Sequence, residues 1–146
     1  MRSKLVAETG GERTFVLVLD TGEEAFAAIT AFAVEADLEG ASLTAIGAFE
    51  RAQVGWFDID RKVYKPIAVG EQCEVLSLIG DIALDDDGKP SLHAHVVLGL
   101  ANGVTRGGHL MYGRVRPTLE VTLVETPAHL RHRKRPDLGI ALIDLG

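Results

Sequence analysis

The chain has a single cysteine and no long apolar run. Cys73 is the one cysteine among 146 residues, which excludes an intrachain disulfide and favours the cytoplasm. No apolar stretch approaches the ~20 residues of a membrane-spanning helix, and Met1 to Lys4 lack the apolar core of a signal peptide. We therefore expect a cytoplasmic protein that does not span a membrane.

Positive charge is also scarce. The chain has 15 Lys and Arg residues against 21 Asp and Glu residues, a formal net charge of −6. Residues 126–146 hold four of the basic and two of the acidic residues, which leaves 11 basic and 19 acidic residues, a net charge of −8, in residues 1–125. An acidic body argues against a surface built for nucleic acid. We expect one domain over residues 1–125 and a C-terminal extension over 126–146.

Three common enzyme signatures are missing as well. The chain has no Gly-x-Ser-x-Gly elbow, no Walker loop and no Gly-x-Gly-x-x-Gly fingerprint. It is nevertheless 47% hydrophobic, which is enough to form a folded core.

One helix is expected near the N-terminus. Thr21 and Glu24 have the spacing of a capping box, and the Ala-rich stretch that follows has apolar residues at helical spacing. These features predict a helix over about 23–37, with Gly40 placed to end it.

Most of the remaining chain has the pattern of strands. Turn signals separate the apolar runs, and the three aspartates Asp85 to Asp87 are typical of a hairpin turn rather than of a calcium loop. The predicted strands are Thr14–Leu19, Ser42–Glu50, Gln53–Asp60, Cys73–Leu84, Leu92–Leu100, His109–Val115 and Leu119–Glu125. The expected fold is α+β, with a twisted, mainly antiparallel sheet of about six to eight strands and one main helix.

Three histidines carry the most specific chemical signal. His93 and His95 are two residues apart on a predicted strand, so they share a face. If residues 101–103 form a three-residue hairpin loop, His109 on the next strand lies directly opposite His95. A two-residue turn, or a bulge at Gly107 and Gly108, would instead turn His109 away.

Three converging imidazoles without cysteine suit zinc best, although nickel and copper also fit. Three protein ligands would leave a position for water or a small carboxylate. The alternative is that these histidines lie on a polar surface and bind nothing. Glu50, Tyr112 and Glu120 could act as acids or bases, but each has a structural explanation, so no catalytic residue is assigned.

The C-terminal extension contains a short basic run. Its cations could contact phosphate or an acidic partner, or could simply keep a solvated tail soluble. The basic residues are Arg131, Arg133, Lys134 and Arg135. Residues 139–145 are apolar again and are expected to form an edge strand or a subunit contact.

Several segments together resemble the plants and prokaryotes conserved domain, or PPC domain. They are Glu74–Leu78 with Gly80, Asp87–Pro90, Leu92–His95, Gly107–Leu110 and Leu119–Val121. The resemblance extends from about Arg13 to Glu125.

The resemblance implies an α+β domain that assembles as a homotrimer and binds metal through His93, His95 and His109. It also implies a small-molecule ligand at the metal, or the DNA binding with which the family is often labelled. The plant AT-hook core, Arg-Gly-Arg-Pro, is not matched, because Lys134 replaces its glycine in Arg133–Pro136. The stand-alone domain therefore has no AT-hook of its own.

Overall fold

The structure is a computed structural model that describes residues 1–126 and 128–146. Within these residues the chain forms one helix, α1 (Ala25–Glu35), and one sheet of nine strands. The strands are β1 (Arg2–Thr9), β2 (Glu12–Asp20), β3 (Gly40–Asp58), β4 (Val63–Val69), β5 (Cys73–Leu84), β6 (Pro90–Gly99), β7 (Thr105–Glu125), β8 (Arg131–Arg135) and β9 (Ile140–Asp144). The predicted mainly antiparallel α+β fold is confirmed. Pro127, in the predicted extension, lies outside the described residues.

Two pairs of predicted strands are single long strands. The segments expected at Ser42–Glu50 and Gln53–Asp60 form the 19-residue β3, and the last two predicted strands form the 21-residue β7. Irregularities in the register, rather than loops, occupy the predicted breaks in β3 and β7. A local irregularity bends a strand without ending its pairing, so sequence signals for a break overcounted these strands.

Sequence patterns missed three other strands. Every residue of β1 is exposed, so β1 shows no alternation of buried and exposed positions. β4 contains Pro66, which argues against a strand interior, but it pairs only with β3 along its described length. No strand was predicted over the basic run Arg131–Arg135, which forms β8 and pairs with β9 over five residues. The apolar segment 139–145 does form an edge strand, β9, as predicted.

Four central strands close into a ring. β3 pairs with β5 and β7, and β6 pairs with the same two strands. Fully buried residues such as Leu78, Leu98 and Leu119 fill the core. The helix packs onto this core through Ile29 and Ala33, both of which are almost fully buried. No helix in the described part of the chain is long and apolar enough to cross a membrane.

The helix begins three residues later than a Thr21 cap would place it. Glu24 is the N-cap, because its carboxylate accepts hydrogen bonds from the backbone N–H groups of Phe26 and Ala27. The Thr21 hydroxyl instead donates to the carbonyl oxygen of Pro117. The predicted capping box is therefore wrong, and the helix ends at Glu35, before Gly40.

Candidate metal centre

The turn between β6 and β7 sets the register of the three histidines. Residues 101–103 form a three-residue loop, in which Gly103 adopts a φ of +79° and the Leu100 N–H donates to the carbonyl oxygen of Val104. His95 consequently pairs with His109 across the two strands. The predicted register is confirmed. It runs without a shift through Gly107 and Gly108, so no bulge turns His109 away.

The three imidazoles meet on the outer side of the ring. Leu92, Ala94 and Val96 point into the core and are at most 5% exposed, which leaves His93 and His95 on the opposite face. The ring centroids lie 5.2 Å apart for His93 and His95, 5.4 Å apart for His93 and His109, and 5.6 Å apart for His95 and His109. One ring nitrogen from each side chain lies within 4.8 Å of the other two.

Gly108 lets β7 approach β3 closely beside the cluster. A Cβ at this position would lie 2.5 Å from the carbonyl oxygen of Gly55, closer than real Cβ contacts allow. Gly55 pairs with His109 in the register of β3 and β7. The absence of a side chain at Gly108 thus allows the backbone of His109 to reach its place in the cluster.

Two further side chains, Asp81 and His132, form a hydrogen-bonded pair beside His93. The Oδ2 atom of Asp81, opposite His93 in the register of β5 and β6, lies 3.5 Å from His93 Nδ1. The Oδ1 atom of Asp81 forms a 2.7 Å hydrogen bond with Nε2 of His132, whose side chain is 5% exposed. A carboxylate next to the second ring nitrogen of a metal-binding histidine fixes the orientation of the ring. Asp81 and His132 are therefore candidates for orienting His93 in the site.

The surroundings favour the neutral form of two of the three imidazoles. Burial, followed by the nearby charges of His93 and His95, lowers the pKa of His109 to about 4. Burial and the charge of His93 also lower the pKa of His95. The contact with Asp81 raises the pKa of His93, although burial opposes this effect. Neutral imidazole is the form that binds a metal ion. The lowered pKa values of His95 and His109 therefore favour metal binding by these two side chains near neutral pH.

The donor set fits a metal ion. Nδ1 of His109 is buried and has no hydrogen-bond partner among the described residues, an arrangement that costs free energy unless a ligand completes it. A tetrahedral zinc ion with Zn–N bonds of about 2.0–2.1 Å holds its nitrogen ligands about 3.4 Å apart. The three observed nitrogens lie within 4.8 Å of one another.

An open cavity of about 560 Å³ adjoins the histidines. Trp56 and Tyr64 line it, and the Tyr64 ring stacks on His109 with 4.8 Å between ring centroids. Sequence reasoning assigned no strand to 63–69, so it missed Tyr64, and it gave no role to Trp56 within the predicted strand Gln53–Asp60. It also missed Asp81, which the predicted hairpin turn at 85–90 could have placed opposite His93. Nothing in the sequence pattern pointed to His132.

The other sequence candidates lie away from this cluster. Glu50 forms an ion pair with Arg114, and neither Tyr112 nor Glu120 lines the cavity. The basic residues of β8 are exposed, and Arg133 and Arg135 form ion pairs with Asp144 and Asp137. Contact between Arg131, Arg133, Lys134 or Arg135 and nucleic acid stays a prediction.

Comparison with known protein families identifies relatives of this chain. Residues 6–127 match the model of the Plants and Prokaryotes Conserved (PCC) domain, the family also abbreviated PPC. The chain belongs to this family. The match covers the helix, β2 to β7 and all three clustered histidines, whereas the β8–β9 hairpin lies beyond it.

Several solved structures share the fold. A PPC protein from Pyrococcus horikoshii is 34% identical, with a TM-score of 0.84 over 94% of this chain and 97% of the other. A metal-containing protein from Archaeoglobus fulgidus is 31% identical, with a TM-score of 0.83 over 97% and 98% of the two chains. A "putative DNA-binding protein" from Ralstonia eutropha is 27% identical, with a TM-score of 0.83 over 90% and 91%. A comparison with curated proteins gave no match.

Proposed function

We propose that this PPC domain binds one zinc ion per subunit through His93, His95 and His109, and that the metal serves the binding or conversion of a small molecule. The observation that carries the proposal is the convergence of three imidazole nitrogens within 4.8 Å beside an open cavity. The metal-containing relative from Archaeoglobus fulgidus supports it. A zinc ion held there would supply positive charge and a Lewis acid at one side of the cavity.

Zinc is the preferred metal because of the ligand types. The cluster offers imidazole nitrogen donors and no cysteine, and three protein ligands are typical of zinc sites with one open position. Nickel and copper accept the same donors, whereas calcium and magnesium prefer oxygen.

The test is zinc binding by protein purified without a histidine tag. Elemental analysis of the purified protein and calorimetric titration of the metal-free protein should both give about one zinc per subunit. His95→Ala should weaken binding by at least about 100-fold, because it removes one of three ligands. His129→Ala is the matched control, since His129 is exposed and lies outside the cluster. Wild-type protein without stoichiometric metal, or equal affinities for the two variants, would contradict the proposal.

We also propose that the domain forms a homotrimer. An exposed apolar patch on the outer face of the sheet supports self-association, because Ile46, Leu76 and Ile79 are each more than half exposed. His95 pairs with Ile79, so the patch borders the metal cluster. Light scattering should give three times the chain mass, and Ile79→Arg should shift it towards the monomer. A monomeric wild-type protein would contradict this proposal.

DNA binding is the alternative function, supported by the name of the Ralstonia eutropha relative. The charge of the chain opposes it, because residues 1–125 carry a net charge of −8 and ion pairs neutralise two of the β8 cations. We expect no shift of duplex DNA in modest salt. Binding that disappears when Arg131, Arg133, Lys134 and Arg135 are replaced by serine would favour the alternative.

A further inference from the structure

The cavity beside the histidines has many apolar lining residues, together with the three proposed metal ligands and the polar side chains of Ser91, Tyr64 and His132. Trp56, Phe57 and Tyr64 line one side, and Ile140 and Leu142 of β9 line another. Among the described residues that line the cavity, none is aspartate, glutamate, lysine or arginine. The proposed metal ion would therefore be the main source of positive charge for a ligand in this cavity.

The β8–β9 hairpin builds the second side of the cavity. This hairpin lies beyond residues 6–127, which match the family model. Two contacts hold its first strand against the ring. Leu84 donates its backbone N–H to the carbonyl oxygen of Leu130, and His132 forms its buried hydrogen bond with Asp81.

The turn of the β8–β9 hairpin packs against the turn between β3 and β4. Gly139 adopts a φ of +81°, and a Cβ there would lie 2.7 Å from Cβ of Lys62, in the turn between β3 and β4. Nζ of Lys62 donates to the carbonyl oxygen of Pro136 at 3.3 Å. The hairpin is thus attached at both ends and spans the cavity between them.

These features define the chemistry of a suitable ligand. One anionic group can bind the open position of a metal held by three histidines, and an apolar body can pack between the two walls. A second anionic group would lose its water without meeting a cation, which is unfavourable in an apolar site. The volume of about 560 Å³ is within the range of small-molecule sites, about 300–1,000 Å³.

We propose that the β8–β9 hairpin makes this cavity a site for a small monocarboxylate with an apolar body. The carboxylate binds the metal, and the body packs between Trp56 and the wall formed by Ile140 and Leu142. This inference rests on the proposed metal site, because the metal supplies the positive charge to which the carboxylate binds.

The test compares three carboxylates on zinc-loaded, full-length protein. Hexanoate has the apolar body, acetate lacks it, and adipate has the same carbon number with a second carboxylate. Binding is measured by calorimetry and by fluorescence of Trp56, the one tryptophan of the chain, which lines the cavity. We expect hexanoate to bind at least about 10-fold more tightly than acetate, which has no methylene groups to bury. The same preference is expected over adipate, because its second carboxylate would lose its water without meeting a cation. Equal affinities would overturn the proposal.

A pair of variants on β9 tests the role of the hairpin. Leu142→Ser should weaken hexanoate binding by at least about 10-fold. Ile143→Ser should leave hexanoate binding unchanged, because Ile143 is exposed and does not line the cavity. An equal effect of the two substitutions would overturn the proposal. If the wild-type protein binds zinc without this carboxylate selectivity, only the present inference fails, whereas the absence of zinc binding overturns the metal site as well.

Discussion

At the residue scale, His93 differs from the other two proposed ligands because a carboxylate lies beside its ring and can hold the ring in place. Asp81 lies next to its Nδ1 atom, and the buried His132 holds Asp81. A ligand that is already oriented loses less conformational freedom when the metal binds. The three proposed ligands all lie within the family domain, whereas His132 lies on the C-terminal hairpin. His132 is therefore expected to raise the metal affinity of a site to which the hairpin contributes no ligand.

Substitution of His132 tests this connection. His132→Ala should weaken zinc binding by about 10- to 100-fold, the usual cost of losing a group that orients a metal ligand. His132→Gln should recover most of the affinity, because the glutamine amide can still donate to Asp81. Chelator competition measures the affinities, and circular dichroism verifies the fold of each variant. Identical zinc affinities for His132→Ala and wild type would show that His132 has only a packing role.

Asp81 also makes stability depend on pH. Burial by itself would raise its pKa, but hydrogen bonds with His132 and His93 outweigh burial and lower the pKa from 3.8 to about 2. Because the folded-state pKa is below the unfolded value, the carboxylate stabilises the native state above about pH 4. That contribution is lost as the pH falls towards 2.

Denaturation of the metal-free protein at several pH values measures this effect. Asp81→Asn should be less stable than wild type by up to about 2 kcal/mol at pH 7. The difference should shrink steadily as the pH falls from about 4 towards 2. A difference that does not change with pH would show that the charge of Asp81 is not its cause.

At the scale of secondary-structure elements, the start of the helix depends on one carboxylate. Glu24 accepts hydrogen bonds from the N–H groups of Phe26 and Ala27, and also from the N–H of Gly113 in β7. It therefore caps the helix and joins it to the sheet. Thr21, the cap that the sequence pattern favoured, makes no such contact with the first turn of the helix.

Two alanine substitutions distinguish the actual cap from the predicted one. Glu24→Ala should lower the free energy of unfolding by about 1–2 kcal/mol, because it leaves three N–H groups without their acceptor. Thr21→Ala should cost less than about 0.5 kcal/mol, since its hydrogen bond is exposed. Urea denaturation gives both values. A larger loss for Thr21→Ala than for Glu24→Ala would contradict the assigned cap.

The accuracy of sequence-based prediction also differed between elements. Regular alternation in Leu92–Leu100 predicted His95 opposite His109 on the condition of a three-residue turn at 101–103, and the structure has that turn and that pairing. Local pattern failed where tertiary pairing decides the structure. β1 is exposed throughout, and β8 is a polar strand whose partner, β9, had to be known first. His132 and the cavity wall depend on that pairing, so sequence reasoning did not find them.

At the scale of the whole molecule, the arrangement of charge fits a small ligand better than DNA. The acidic body surrounds an apolar cavity with three histidines, and the basic residues of β8 lie outside that cavity, partly neutralised by aspartates. Electrostatic attraction to phosphate would therefore depend on a short strand rather than on a continuous basic surface. The histidine cluster and the exposed apolar patch beside it are the features of the outer face on which the two proposals rest.

The most direct test of the central claim is anomalous diffraction at the zinc absorption edge, from crystals of untagged protein grown with zinc. The account predicts one strong peak per subunit within bonding distance, about 2.0–2.1 Å, of a ring nitrogen of each of His93, His95 and His109. Absence of a peak at this cluster, or a peak held by other residues, would contradict it.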